Sequence, residues 1–148
     1  MEVPASNSKY FAGTNYYKGA KLSPQDNDHL RNSIYYSEVV MYVATSLGLD
    51  SSIFNKPQII ISFDGWEKKD YFQSVKRYNR EDCLYKLVEL GGTRRVESKE
   101  EWIKSINDYL ANPKLDQAGR DKTIELELYK IDGKAGERIA NFVLNELH

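Results

Sequence analysis

Polar residues fill the first turns after Ser23, and apolar ones then recur at Leu30, Ile34, Met41 and Ala44, with a second series at Tyr36, Val40, Val43 and Leu47. Such spacing predicts a helix with a wide buried face over residues 24–47, its polar early turns able to stand as a separate piece. Ser23-Pro24-Gln25-Asp26 supplies the start: a capping serine, a proline at the first helical position, and an acid near the positive end of the helix dipole. Gly48 is the expected stop.

After Pro57, the run Gln-Ile-Ile-Ile-Ser-Phe is rich in β-branched residues and ends at Asp64-Gly65, which predicts a strand buried on both faces and central in a sheet. Residues 68–82 mix Tyr71, Phe72, Val75 and Tyr78 with many charges and fit either a helix or a mobile flap. Residues 84–90 and 93–96 read as short strands joined through Gly91-Gly92 in a hairpin. Ser98-Lys99-Glu100-Glu101 matches a capping box, and Trp102, Ile103, Ile106, Tyr109 and Leu110 follow on one helical face until Asn112-Pro113. Residues 114–122 read as a loop or one weak turn. Ile124, Leu126 and Leu128 alternate with Glu125 and Glu127, predicting a half-exposed strand over residues 123–131, turned by Asp132-Gly133. Ile139, Phe142, Val143 and Leu147 mark a last amphipathic helix. This order predicts an α/β (α+β) fold, one domain over residues 1–148 with a single curved central sheet and helices packed on it.

Composition narrows the partners. A chain of 148 residues buries roughly two-thirds of its unfolded surface and folds without staples. With a net charge of −1 and no long block of one sign, it is not expected to bind duplex DNA or an anionic membrane. Cys83 stands alone, and His29 and His148 complete no zinc set, so a reducing, cytoplasmic setting is expected. The N-terminus lacks the basic start and apolar run of a signal peptide, and no apolar stretch approaches the roughly 20 residues of a membrane helix. Any membrane anchor or effector domain of the natural protein is therefore expected outside these residues.

The chemistry is sparse. Two histidines leave a Cys83 or serine triad little to draw on, and no phosphate loop or Gly-x-Gly-x-x-Gly is present. Asp82 with Glu97-Ser98-Lys99 has the form used by metal-dependent nucleases, two carboxylates for Mg²⁺ and a lysine for the attacking water. Against this, Ser98 serves equally as a helix cap. Arg77, Arg80, Arg94 and Arg95 flank residues 84–90, and their planar forks suit phosphates or the O6/N7 edge of guanine. Tyr16 and Tyr17 are half-buried helix residues or stacking platforms.

Taken in order, these segments resemble the cyclic-dinucleotide-binding domain of STING proteins, including bacterial members that act in anti-phage signalling. Asn15-Tyr16-Tyr17-Lys18-Gly19 resembles the Tyr-Tyr-x-Gly of the family's cleft-lining first helix. Residues 58–65 resemble its central strand and acidic turn, and Tyr85-Lys86-Leu87-Val88-Glu89 resembles the strand leaving the lid. Glu97 through Ile103 resembles the entry to the next helix, and residues 123–147 the terminal strand, loop and helix. Two departures stand out: the place of the vertebrate stacking aromatic is Ala20 here, which shifts stacking to Tyr16, and residues 110–122 make a shorter segment. The resemblance implies a two-fold homodimer, extendable to filaments, holding one cyclic dinucleotide, with cyclic di-GMP favoured and no catalytic residue, metal or cofactor. It implies Asn15, Tyr16 and Gly19 lining the cleft, Arg77, Arg80 and Arg94 on phosphates or guanine edges, and Glu97 and Glu100 accepting from guanine N1 and N2 hydrogens. Binding would order a lid over residues 64–84. The small metal-dependent nuclease and a non-catalytic protein-binding α/β domain stay open as alternatives.

Overall fold

The stretch that reads as one long helix is divided by its own β-branched residues. This computed structural model describes residues 23–80 and 82–146, with the side chains of Asp82 and Cys83 excepted. Contacts divide the chain between Ser33 and Ile34 into two units. The described part of the first is the start of helix α1, Pro24–Tyr35. Ser23 and Asp26 cap it reciprocally: the Ser23 hydroxyl accepts from the Asp26 N–H at 3.2 Å, and Asp26 Oδ2 accepts from the Ser23 N–H at 2.9 Å.

Helix α1 stops short of Leu47 because Ser37 takes up the Ile34 carbonyl through both its N–H (3.2 Å) and its hydroxyl (2.8 Å). Strand β1, Val40–Tyr42, follows, with Val40 and Tyr42 buried and Met41 exposed. A period of two had been hidden under a period of 3.6. Helix α2, Leu47–Ile53, then begins at the expected stop signal. Gly48 ends nothing: it is a buried contact, since a Cβ there would stand 2.2 Å from the Tyr42 hydroxyl oxygen and 2.7 Å from Leu87 Cδ1.

Strand β2, Gln58–Ile61, is central, as the apolar run predicts. Both neighbours are parallel to it: Val40 pairs with Gln58 in β1, and Ile59 with Arg94 in strand β3, Arg94–Val96. The order β1-β2-β3 is that of successive crossovers, with no hairpin among the described residues. Residues 84–90 are not a strand but belong to helix α3, Asp82–Glu89, which buries Leu84 and Leu87 at helical spacing. Gly91, at φ +76, ends the helix in a left-handed turn. A short apolar run fits a strand or a buried helix equally, and here the crossover to a parallel strand decides it.

Each face of the sheet carries its own core. On one, Val40, Tyr42 and Ile60 pack with Ile34, Leu84, Leu47, Phe54 and Val88, so α2 and α3 cover it. On the other, Ile59 and Val96 pack with Tyr109, Trp102 and Ile106 of helix α4, Lys99–Ala111. The inner stripe of α4 is Trp102, Ser105, Ile106 and Tyr109, while Ile103 and Leu110 face outward. A buried polar knot ties α2 to the sheet: the Tyr42 and Thr93 hydroxyls donate to Gln58 Oε1 at 3.1 and 3.0 Å, and Gln58 Nε2 donates to Ser52 Oγ at 2.8 Å.

Residues 114–122 are more than a weak turn. Helix α5, Gln117–Thr123, buries Arg120 completely, with its nitrogens donating to Asn55 Oδ1 (2.7 Å) and the carbonyls of Leu115 (2.7 Å) and Pro113 (3.0 Å). Burial lowers its pKa from the ordinary arginine value. Gly119 lies so close to the Gly91-Gly92 backbone that a Cβ would be 2.0 Å from the Gly91 carbonyl carbon. The glycine pair thus serves close backbone approach as well as a turn. Residues 124–128 continue as a π-helical turn, Ile124–Leu128, instead of a strand. Ile124 and Leu128, four apart, are the half-buried pair, and Leu126 is exposed. Helix α6, Ala135–Glu146, forms as expected after the Asp132-Gly133 bend, with Ile139, Phe142, Val143 and Leu144 exposed. No helix among the described residues is long and apolar enough to cross a membrane.

Candidate functional site

Parallel strands end together, so the loops after β2 and β3 meet at one edge, where open α/β sheets take their ligands. There the sequence leaves Phe63, Asp64, Gly65 and Trp66 after β2, and Glu97 and Ser98 after β3. These loops border a cleft of about 440 Å³ lined by Phe63, Trp66, Glu97, Lys99, Glu100 and Trp102.

Helix α4 builds one wall from its capping chemistry. The Ser98 hydroxyl accepts from the Glu101 N–H at 3.1 Å, as the capping box requires, but Glu101 Oε2 reaches one residue further back and accepts from the Glu97 N–H at 2.8 Å. Glu101 is thereby occupied. The side-chain carboxylates of Glu97 and Glu100 enter no hydrogen bond or ion pair among the described residues, leaving two open acceptors on the cleft. The other wall is aromatic. Trp66 is 87% exposed, with the Lys99 ammonium 4.4 Å from its ring centroid. Phe63 and Trp102 meet at 6.2 Å behind it, and Trp102 Nε1 donates to Met41 Sδ at 3.1 Å. An exposed indole beside paired carboxylates can stack a flat ring and accept hydrogen bonds from its edge.

Behind the cleft, Asp64 organises its loop. Oδ1 accepts from the Val75 N–H at 2.8 Å, and the Ser74 hydroxyl together with this N–H holds the carboxyl below the usual carboxylate range. The 3₁₀ segment Val75–Arg80 follows, fastened to the sheet by the Ser62 hydroxyl donating to Asn79 Oδ1 at 2.7 Å. Residues 68–82 are therefore neither one helix nor simply a flap: turns at 71–74 lead into the 3₁₀ segment and α3 begins at Asp82.

The four arginines do not converge. Arg94 points to the α4 face, donating through Nε to Asp116 Oδ2 at 2.6 Å and through a terminal nitrogen to Asp108 Oδ2 at 2.9 Å, with its guanidinium 4.5 Å from the Tyr109 ring centroid. Burial works against its charge, and the bonds to Asp116 and Asp108 outweigh it, so its pKa is raised. Arg95 is on the opposite face, in register with Ile60. Arg77 donates to the Phe72 carbonyl and the Tyr78 hydroxyl, and Arg80 is exposed at the end of the 3₁₀ segment. Of the residues singled out by sequence, Glu97 and Glu100 share the cleft and Arg94 is committed to structure. Asn15, Tyr16 and Gly19, like Tyr17 and Ala20, lie outside the described residues.

For the nuclease pattern, Lys99 stands over Trp66, the Asp82 side chain lies outside the described residues, and no group of three or more metal-ligating side chains occurs among those described. Sequence reasoning passed over Trp66. Its signal was available: a tryptophan among Asp64, Gly65, Glu67 and Lys68 has no apolar neighbours to be buried with. Two of the segments that carry the STING resemblance are helical or π-helical where strands are expected, residues 85–89 throughout and residues 123–131 as far as Leu128. Comparison with known protein families, with curated proteins and with solved structures finds no match for this chain.

Proposed function

We propose that the protein is a nucleotide-binding module that stacks a base on Trp66 and reads its edge with Glu97 and Glu100. The observation that carries this is the cleft itself, an exposed indole and two unengaged carboxylates at the carboxyl edge of a parallel sheet. Two open carboxylate acceptors on the reading wall, with Lys99 held over the Trp66 ring, favour a base edge rich in donors, which is guanine with its N1 and N2 hydrogens. The finer reading, cyclic di-GMP shared by two copies in signalling with no chemistry of its own, draws on the resemblance of residues 58–65 and 97–103.

The all-parallel sheet favours a second reading. Such an edge accommodates a single nucleotide without a two-fold partner, and paired carboxylates beside an indole also suit sugar hydroxyls, so a nucleotide-diphosphate sugar, a substrate for glycosyl transfer, is the competing ligand.

Trp66 and Trp102 are the two tryptophans, and only the first is largely exposed, so quenching of indole fluorescence reports stacking directly. Guanosine, GMP and cyclic di-GMP should quench it and raise the melting temperature, and Trp66→Ala should abolish the quench. Glu97→Gln with Glu100→Gln should weaken guanine binding about tenfold or more, the worth of a lost charged acceptor. A response to UDP-sugars with none to guanine ligands would select the second reading. No response to either class would refute a nucleotide site. Sedimentation with cyclic di-GMP tests the shared-ligand form, which requires a dimer.

A further inference from the structure

Arg95 differs from the other arginines of the sheet and its buttress. Alternation along β3 sends it to the face of Ile60, among Val43, Tyr78, Asn79 and Leu84. Its Nε is buried and has no hydrogen-bond partner among the described residues, and a terminal nitrogen reaches the Asn79 carbonyl only at 3.4 Å. The space around it has no room for a water molecule. A guanidinium packed against apolar side chains with an orphan donor works against folding, and an aliphatic side chain of similar length would serve the core better. β3 places it one residue from the strand's carboxyl end, on the sheet face opposite the α4 side.

What covers it is one short segment, packed on the core through Tyr78. The 3₁₀ segment Val75–Arg80 lies over Arg95 through Tyr78 and Asn79, fastened by the Ser62–Asn79 and Asp64–Val75 bonds. Lys76, Arg77 and Arg80 are exposed on that segment. Releasing it would uncover the unpartnered Nε of Arg95.

We propose that Arg95 is the receiving group of a phosphate or diphosphate subsite, opened when Val75–Arg80 moves aside, so that a ligand crosses the carboxyl edge with its base at Trp66 and its anionic group at Arg95. The planar fork of arginine suits bidentate contact with such oxygens. The ligand class rests on the nucleotide reading, whereas the anion site does not.

Inorganic pyrophosphate is the probe. It should raise the melting temperature saturably, beyond chloride at matched ionic strength, and increase amide exchange over residues 75–80. Arg95→Met should weaken pyrophosphate binding about tenfold or more, as loss of charge-assisted bonds implies, and should melt at or above the wild-type temperature without anion. Ser62→Ala, which releases the Asn79 fastening, should tighten pyrophosphate binding. Undiminished binding by Arg95→Met, or a melting temperature well below wild type, would overturn the proposal, as would unchanged affinity in Ser62→Ala. Guanosine, which has no phosphate, separates the two sites. Its quenching of Trp66 should survive Arg95→Met, and its failure would count against the base cleft alone.

Discussion

Arg94 and Arg95 are adjacent on β3 and meet opposite surroundings. Arg94 faces α4 and is closed in by Asp108, Asp116 and the ring of Tyr109, whose own hydroxyl donates to Asp116 at 2.8 Å. Burial pushes the Tyr109 hydroxyl well above its ordinary pKa, and Asp116 adds to the shift, so the phenol stays a donor there. Arg95 faces a 3₁₀ segment that gives it one long contact and leaves Nε without a partner. One face of the sheet is completed by its own side chains, and the other holds a charge in waiting. Residues one position apart are thus satisfied on one face and short of a partner on the other.

The largest expected effect is at helix α5, where Arg120 ties the end of α2 to the loop after α4. Arg120→Ala leaves the carbonyls of Leu115 and Pro113 and the amide of Asn55 unpaired inside the protein and should cost about 3 to 5 kcal/mol by denaturant unfolding. Gly119→Ala should cost about 3 kcal/mol, because the new methyl would press on Gly91-Gly92 backbone that has no rotamer to yield. Arg94→Ala should cost about 2 kcal/mol, since it removes two charge-assisted bonds at a partly exposed site. The same measurement on Arg95→Met should show no loss, and equal losses at both positions would erase the distinction.

The smallest effect concerns acid. Asp64 has a folded pKa below its ordinary value of 3.8, so the fastening it provides is fully present above about pH 4 and is lost as pH falls through the lower folded value. Protection of the Val75 amide, corrected for intrinsic exchange, should therefore decline below pH 4. Protection that is constant with pH would show that Asp64 does not hold the segment.

Where local chemistry dominated, the sequence was readable. Ser23 and Ser98 cap helices as expected, because a hydroxyl three residues from an N–H satisfies it whatever the rest of the chain does. The central strand was legible because four consecutive residues must be apolar or satisfied when both faces are covered. Glu97 and Glu100 were named through the family resemblance and not through their spacing, since Glu97 precedes the extended Ser98 cap and lies outside helix α4. Trp66 was not, since its importance lies in the wall that α4 sets opposite it.

The errors share one origin. Residues 40–43, 84–90 and 123–131 are short segments whose apolar spacing fits both helix and strand, and which it becomes depends on the partner found. Val40 is a strand residue because the Pro57 carbonyl accepts its N–H at 2.9 Å, and residues 84–90 are a helix because β3 must return parallel to β2.

By itself, then, the sequence determined the starts of α1 and α4, the buried central strand and the mixed class of the fold, the two helix starts through interactions within a few residues. Only the tertiary structure decided that the sheet is parallel, that Gly48 and Gly119 are contact points, and that neighbouring arginines meet different surroundings. Those outcomes depend on which backbone passes within a few ångströms of which side chain. No spacing along the chain encodes that distance until the crossovers bring the segments together.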